Sequence, residues 1–224
     1  MSIAIAIDGP AGAGKSSLSK AVAKELSYIY VDTGALYRTI GLAVSRKGIE
    51  KTDTQGIIDT LKEIEIKLTF NSQGTQVVLL NDEDVSGYIR TPEASMYASA
   101  VSAIPQVREF LLDLQRNMAD NNNVIMDGRD IGTVVLPNAK VKIFLTASPE
   151  TRAMRRYKEN IEKGISCNYE DVLRDVNERD YNDSHREIAP LKPAADSIIV
   201  DTSDVDFEGS KALLLKTIKE NCND

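Results

Sequence analysis

Ile3-Ala4-Ile5-Ala6-Ile7-Asp8-Gly9-Pro10-Ala11-Gly12-Ala13-Gly14-Lys15-Ser16-Ser17-Leu18 decides the fold. Its first five residues read as a buried strand bounded by Asp8-Gly9-Pro10. From Lys15 to Leu26 the chain reads as a helix, with Leu18, Val22 and Leu26 recurring every four residues. Gly9-Pro10-Ala11-Gly12-Ala13-Gly14-Lys15-Ser16 between them fits G-x-x-x-x-G-K-[ST] in full. Glycines let the backbone curl until successive N–H groups point at phosphate oxygens, and the helix adds its positive end. Lys15 is expected to reach the β- and γ-phosphates, and Ser16 to offer a hydroxyl to Mg²⁺. A nucleoside triphosphate, ATP or GTP, is the implied ligand; how it is used stays open at this point.

Outward from that loop, helical and strand periods alternate. Ile29 to Val31 reads as a strand ending at Asp32-Thr33-Gly34, followed by a helix carrying Leu36, Ile40 and Val44. Strands are also expected at Val124 to Met126, Lys140 to Leu145 and Ser197 to Val200. Thr91-Pro92 and Ser148-Pro149 read as helix starts, a capping side chain with proline next, and Asn168 with Asp171 as another cap. Pro105 is expected to break the first of these helices. Val107, Leu111, Leu114 and Met118 mark the next one, and Phe207 to Ile218 a closing helix. Such alternation implies α/β architecture, a parallel sheet covered on both faces, with ligands beyond the C-terminal strand ends. Residues 53 to 85 differ in texture. Asp53 caps a predicted helix bearing Ile57, Leu61 and Ile64; Leu68 to Phe70 and Thr75 to Leu80 read as strands, and Asn81 to Asp84 as a polar turn.

The composition is that of an ordinary globular chain of 224 residues, 42% hydrophobic and 27% charged, which excludes disordered and collagen-like classes. With 27 Lys and Arg against 34 Asp and Glu, the net charge of -7 argues against coating a polyanion such as nucleic acid. It does not argue against a small phosphorylated ligand, which needs only a local cluster of cations. No basic n-region precedes the apolar start and no apolar run is long enough for a membrane helix, so the cytoplasm is expected. Cys167 and Cys222 have no metal-site or disulfide-framework spacing.

A guanine-reading Asn-Lys-x-Asp is absent, and Asp84-Val85-Ser86-Gly87 is a chance match to D-x-x-G in the inserted segment. A small kinase needs a second phosphate site and many cations, and arginine suits both because its planar fork grips oxygens in pairs. Arg38 and Arg129 follow predicted strand ends; Arg152, Arg155 and Arg156 open the helix after Ser148; Arg179 and Arg186 flank Asp180 and Asp183. Arg155, Lys158 and Lys163 read equally well as a solvated helix face. Asp127, ending a strand, could organise Mg²⁺ waters, orient an arginine or be a buried structural carboxylate, and Asp32 is ambiguous in the same way. His185, the single histidine, reads as a surface residue beside the cluster rather than as an acid–base group. A kinase for UMP or a non-nucleotide acceptor, and an NTP-dependent regulatory module with slow hydrolysis, also fit the loop.

Asp8 to Ser16, Asp32-Thr33-Gly34-Ala35-Leu36-Tyr37-Arg38, Asp127 to Val135, Glu178-Arg179-Asp180 and Ile188-Ala189-Pro190-Leu191 together resemble bacterial cytidylate kinases. The resemblance runs over essentially the whole chain. It implies a three-layer P-loop kinase fold with a five-stranded parallel sheet, a small α+β NMP-binding insert and a short helical lid. The implied segments are core at 1–37, an NMP-binding region at 38–90 with its insert at about 60–90, core at 91–148, a lid at 149–167 and core at 168–224. The implied reaction moves the γ-phosphoryl of ATP to CMP or dCMP. A monomer is expected, without nucleic-acid or membrane partners. By matched motif, Gly9 to Ser17 would bind ATP; Ser16, at the hydroxyl position of the general loop motif, and Asp127, at its strand end, are the candidates at Mg²⁺. Thr33, where the family more often has serine, would touch the pyrimidine nucleotide; Arg38 and Arg129 would hold its phosphate; Arg108 and Asp130 would stand by the base. Arg179, Asp183 and Arg186 would read sugar and phosphate. Arg152 and Arg156 of the lid would lie near ATP.

Overall fold

Five strands that are apolar on both faces need helices on both sides, and the computed structural model, which describes residues 2–222, has that architecture. In chain order β1 is Ala4–Asp8, α1 Lys15–Leu26, β2 Ile29–Asp32, α2 Thr33–Arg46, α3 Thr54–Leu61, β3 Ile66–Phe70, β4 Gln76–Leu80 and β5 Glu83–Asp84. Then come α4 Pro92–Val101, α5 Pro105–Asn121, β6 Val124–Gly128, β7 Val141–Thr146, α6 Pro149–Glu162, α7 Tyr169–His185, β8 Ile198–Asp201 and α8 Phe207–Cys222. The larger sheet is parallel, in the order β2-β6-β1-β7-β8. Ile5 stands opposite Val141 and Asp8 opposite Phe144, while Leu145 stands opposite Val200. The strands run about one residue beyond their predicted ends, so Asp8, Asp32 and Asp201 are last residues of strands rather than first residues of loops.

The chain divides into two compact units. One comprises Ile3–Tyr28 with the described residues from Ile125 on. Its core takes Ile5 and Ile7 of β1, Ile143 and Leu145 of β7, Leu18 and Val22 of α1, and Leu214 and Ile218 of α8, all almost inaccessible. A smaller cluster of Ala153, Val172 and Val176 joins α6 to α7. The predicted caps stand: Ser148 accepts from the Thr151 N–H at 3.1 Å and Asn168 from the Asp171 N–H at 2.7 Å.

The other unit is Ile29–Val124. Here Leu36, Ile40 and Val44 of α2, Ile57 of α3, Val78 and Leu80 of β4, and Leu111 of α5 form one hydrophobic cluster. The inserted segment therefore shares a core with the helices around it. Its sheet is antiparallel, β3-β4-β5, with Phe70 opposite Gln76 and Leu80 opposite Glu83. The polar turn expected over Asn81 to Asp84 is tighter than that. Asn81 and Asp82, at φ 49° and 67°, make the whole turn in the left-handed conformation that returning strands favour, leaving Glu83 and Asp84 to pair as β5. Pro105 is the first residue of α5, where its missing N–H costs nothing, so it starts a helix as well as ending the reach of α4. The buried stripe of α5 runs Val107, Leu111, Gln115, Ala119, a strict four-residue step, and leaves Leu114 and Met118 half-buried.

Packing within this unit turns on Gly41 of α2. A Cβ there would stand 2.7 Å from Tyr97 Cβ and 3.1 Å from the Ala98 backbone nitrogen of α4. Alanine would gain about 1 kcal/mol of helix propensity, but overpacking against immovable backbone costs about 1–3 kcal/mol. Gly41→Ala is expected to destabilise the protein despite the better helix former, read as a lower denaturant midpoint at unchanged slope; a raised midpoint would contradict this packing.

Candidate functional site

The phosphate loop is shaped by what cannot be there. Gly9 has φ 151°, and a Cβ on it would come within 1.9 Å of the Leu145 carbonyl oxygen at the end of β7. Gly12 and Gly14 are also left-handed, at φ 77° and 86°, which an L side chain resists. The α2, α3, α4, α6 and α7 helices are each preceded by a side chain that accepts a first-turn N–H, whereas α1, preceded by Gly14, and α5, preceded by Ile104, have none. No side chain caps the first turn of α1, where the positive end of the helix dipole would favour an anion.

Lys15 is buried, and its Nζ donates to the Gly9 and Pro10 carbonyls, each at 2.7 Å. Burial and the neighbouring Arg129 push its pKa down, against the pull of Asp127, Asp8 and Asp183. Ser16 Oγ donates to Asp127 Oδ2 at 2.8 Å, bringing together the two residues the sequence marks for Mg²⁺. A hydroxyl and a buried carboxylate are the hard oxygen donors that Mg²⁺ takes when phosphates and water complete its shell. Among the described residues no group of three or more His, Cys, Asp or Glu could hold a metal on its own.

Beyond the loop, Arg129 Nε donates to Asp183 Oδ2 at 2.7 Å, and Arg186 lies 3.7 Å from Asp130 while donating to the Ala189 carbonyl at 2.6 Å. Burial pushes the Asp183 carboxyl up, but Arg129, Arg179 and Arg186 outweigh it and hold the pKa below the ordinary aspartate range. Arg129, Asp130, Arg179, Asp183 and Arg186, scattered over more than fifty positions, thus form one charged cluster. Arg152 is only 3% exposed and is held on all sides, by the Asp180 carboxylate, the Ala147 carbonyl and the Ala11 carbonyl. Arg156 is exposed. Arg155 is no solvated-face residue; it donates to the Thr202 carbonyl at 2.7 Å and braces the turn after β8. His185 is exposed, stacked on Tyr181 at 4.0 Å, and stands at the C-terminal end of α7 as a surface residue.

The second unit carries its own charged arrangement. Asp32 caps α2 through the Ala35 N–H at 3.0 Å and holds Arg38 at 2.8 Å, which makes it an arginine-orienting carboxylate. The Gln76 side-chain amide grips the Asp32 backbone on both sides, accepting its N–H at 2.8 Å and donating to its carbonyl at 3.2 Å. Arg38 Nε is buried without an acceptor, and Thr33 is buried in the first turn. Arg108 donates to the Ser102 carbonyl at 3.2 Å and lies over the Tyr37 ring.

Three residues have roles that no local pattern signals. The partners of Gln76 and Asp180 are 44 and 28 positions away. Asp8, known only as the residue before the loop, accepts the Ile131 and Gly132 N–H groups at 2.7 Å each and straps β1 to the π-helical turn Ile131–Val135.

A sequence model of the family described as Cytidylate kinase matches residues 5–220. A protein named cytidylate kinase from Caldicellulosiruptor saccharolyticus is 50% identical over 206 residues, 92% of this chain and 91% of that one. Another of that name from Streptococcus suis is 48% identical over 219 residues, 98% and 97% of the two chains. A crystal structure of an uncharacterized protein from Eubacterium ventriosum superposes with a TM-score of 0.55 at 13% identity, over 98% of this chain and 99% of that one, a likeness of fold alone. Among the described residues no helix is long and apolar enough to cross a membrane.

Asp8 has a measurable consequence. Burial pushes its carboxyl up to about 6 from an ordinary 3.8, against the two N–H bonds and Lys15, with Asp130 adding to the rise. Between those values the folded chain keeps a proton that the unfolded chain has lost. The contribution is therefore full below about pH 4, is lost as pH rises through about 6, and is level above. Relative to Asp8→Asn, the unfolding free energy of the native protein should fall by about 2–3 kcal/mol across that window. Denaturant titrations of both proteins from pH 4 to 7 measure it; a pH-independent difference would contradict the assignment.

Proposed function

The chain belongs to the cytidylate kinase family, and on that premise we propose that it transfers the γ-phosphoryl of ATP to CMP and dCMP, releasing ADP with CDP or dCDP. The observation that carries the ATP side is the uncapped start of α1 behind a loop in which Gly9 leaves no room for a side chain and Gly12 and Gly14 are left-handed. Phosphoryl transfer through a loose transition state asks for alignment and charge neutralisation rather than a strong base. That suits a site rich in arginine whose one histidine is exposed.

In this reading the amides of Gly9 to Ser17 and Lys15 hold the donor phosphates. Lys15 leaves the Gly9 and Pro10 carbonyls for phosphate oxygens, a stronger acceptor for a buried ammonium. Ser16 and Asp127 would hold Mg²⁺, which when bound neutralises charge on the transferring group. Arg38 and Arg129 take the acceptor phosphate, each already aimed by a carboxylate, Asp32 and Asp183. Thr33, Arg108 and Asp130 address the pyrimidine, and Arg179, Asp183 and Arg186 the sugar and phosphate. The segment 38–90 serves acceptor binding, and 149–167, with exposed Arg156, closes over ATP. Closure excludes water, which would otherwise take the phosphoryl group. The same reading makes the protein a cytoplasmic monomer acting on small nucleotides, with no nucleic-acid or membrane partner.

Acceptor-dependent ADP release over CMP, dCMP, UMP and AMP tests the assignment. CMP and dCMP should give the highest kcat/KM. Preference for UMP or AMP would move the acceptor assignment, and ADP release indifferent to all four would overturn it. Lys15→Ala should lower turnover about a hundredfold or more, with near-normal steady-state rates counting against the loop's role. Arg129→Ala should raise the KM for CMP while calorimetric titration shows ATP binding retained; equal loss of both nucleotides would refute that division of labour.

A further inference from the structure

Arg152, which the family resemblance places near ATP, has its guanidinium fully committed to protein groups. Nε donates to the Ala147 carbonyl at 2.8 Å, one terminal nitrogen to the Ala11 carbonyl at 3.1 Å, and both terminal nitrogens to the Asp180 carboxylate, at 2.9 and 2.5 Å. The side chain is 3% exposed, while that of Asp180 is 26% exposed. A cation buried this deeply against two neutral carbonyls would not stay there without a counter-charge. Asp180 is that counter-charge. Its fork-to-fork pairing also fixes the plane of the guanidinium, and so the direction of the bond to Ala11.

Ala11 is the middle of the phosphate loop. A trans peptide is planar, with its C=O and N–H pointing to opposite sides. Holding the Ala11 carbonyl on Arg152 therefore turns the Gly12 N–H away from Arg152. A side chain at Gly12 would be strained by its φ of 77°, and its Cβ would stand 3.2 Å from Arg152 Cβ, so the loop backbone lies close against that residue. The chain of contacts runs from α7, through α6, to one amide of the loop.

We propose that Asp180 is a positioning residue for ATP binding, acting through Arg152 on the Ala11–Gly12 peptide of the phosphate loop. This deepens the proposed use of ATP at that loop. It also separates α7 into two functions one helical turn apart: Asp180 serves the loop, while Asp183 holds Arg129.

The test is calorimetric titration of ATP into the full chain without any acceptor, with steady-state KM values for ATP and CMP measured alongside. Asp180→Asn should weaken ATP binding about tenfold or more and raise the KM for ATP in step, while the KM for CMP stays within about twofold. Asp180→Glu, which keeps the carboxylate, should recover most of the affinity. In an Arg152→Lys background, where no fork remains to be aimed, Asp180→Asn should add little. ATP affinity within twofold of the native protein in Asp180→Asn would overturn the proposal. So would parallel weakening of ATP and CMP, equal losses in the Asn and Glu variants, or losses that multiply with Arg152→Lys. Because the titration needs no acceptor, these outcomes stand apart from the acceptor screen, in which the choice of CMP succeeds or fails on its own.

Discussion

The loop from Gly9 to Ser16 presses its bare backbone against the end of β7 and the start of α6, and much of the first unit is arranged around that contact. At Gly9 the Leu145 carbonyl is so near that a methyl group would overlap it, and at Gly12 Arg152 stands in the way. Close approach on that side turns peptide groups toward the other, and α1 then starts without a capping side chain. A loop with ordinary residues at these positions would have to lift away from β7, and the orphan N–H groups of α1 would need a cap of their own. The shape of the proposed anion site is thus a consequence of sterics first and of charge second.

Charge then follows one pattern in both units. Arg38 is held by Asp32, Arg129 by Asp183, Arg152 by Asp180, and Arg186 approaches Asp130. A long side chain fixed in advance loses less rotamer freedom when a phosphate arrives, so part of the ordering cost is met on folding. The surplus of acid in the composition is therefore not only a surface property. Some of those carboxylates are the aiming partners of the arginines, and net charge alone could not reveal it.

What was legible in the sequence shared one trait: the signal and its cause lay within a few residues of each other. The phosphate loop is a contiguous set of backbone and charge requirements. The caps at Asp53, Thr91, Ser148 and Asn168 could be read because each side chain bonds an N–H three residues on. The larger sheet followed from apolar runs broken by polar turns. The strand β5 did not, since two charged residues carry no period and only the left-handed pair Asn81 and Asp82 places them. Asp8 was hidden for the opposite reason: its partners are 123 and 124 positions away. For Arg152 the place beside the loop was legible, but its partner Asp180, 28 positions away, was not.

Phosphorus NMR of the protein with ATP, Mg²⁺ and CMP follows the proposed transfer between two nucleotides atom by atom. Resonances of CDP and ADP should grow together as those of ATP and CMP decline, with little inorganic phosphate. Growth of inorganic phosphate beside ADP while CMP stays unchanged would contradict it.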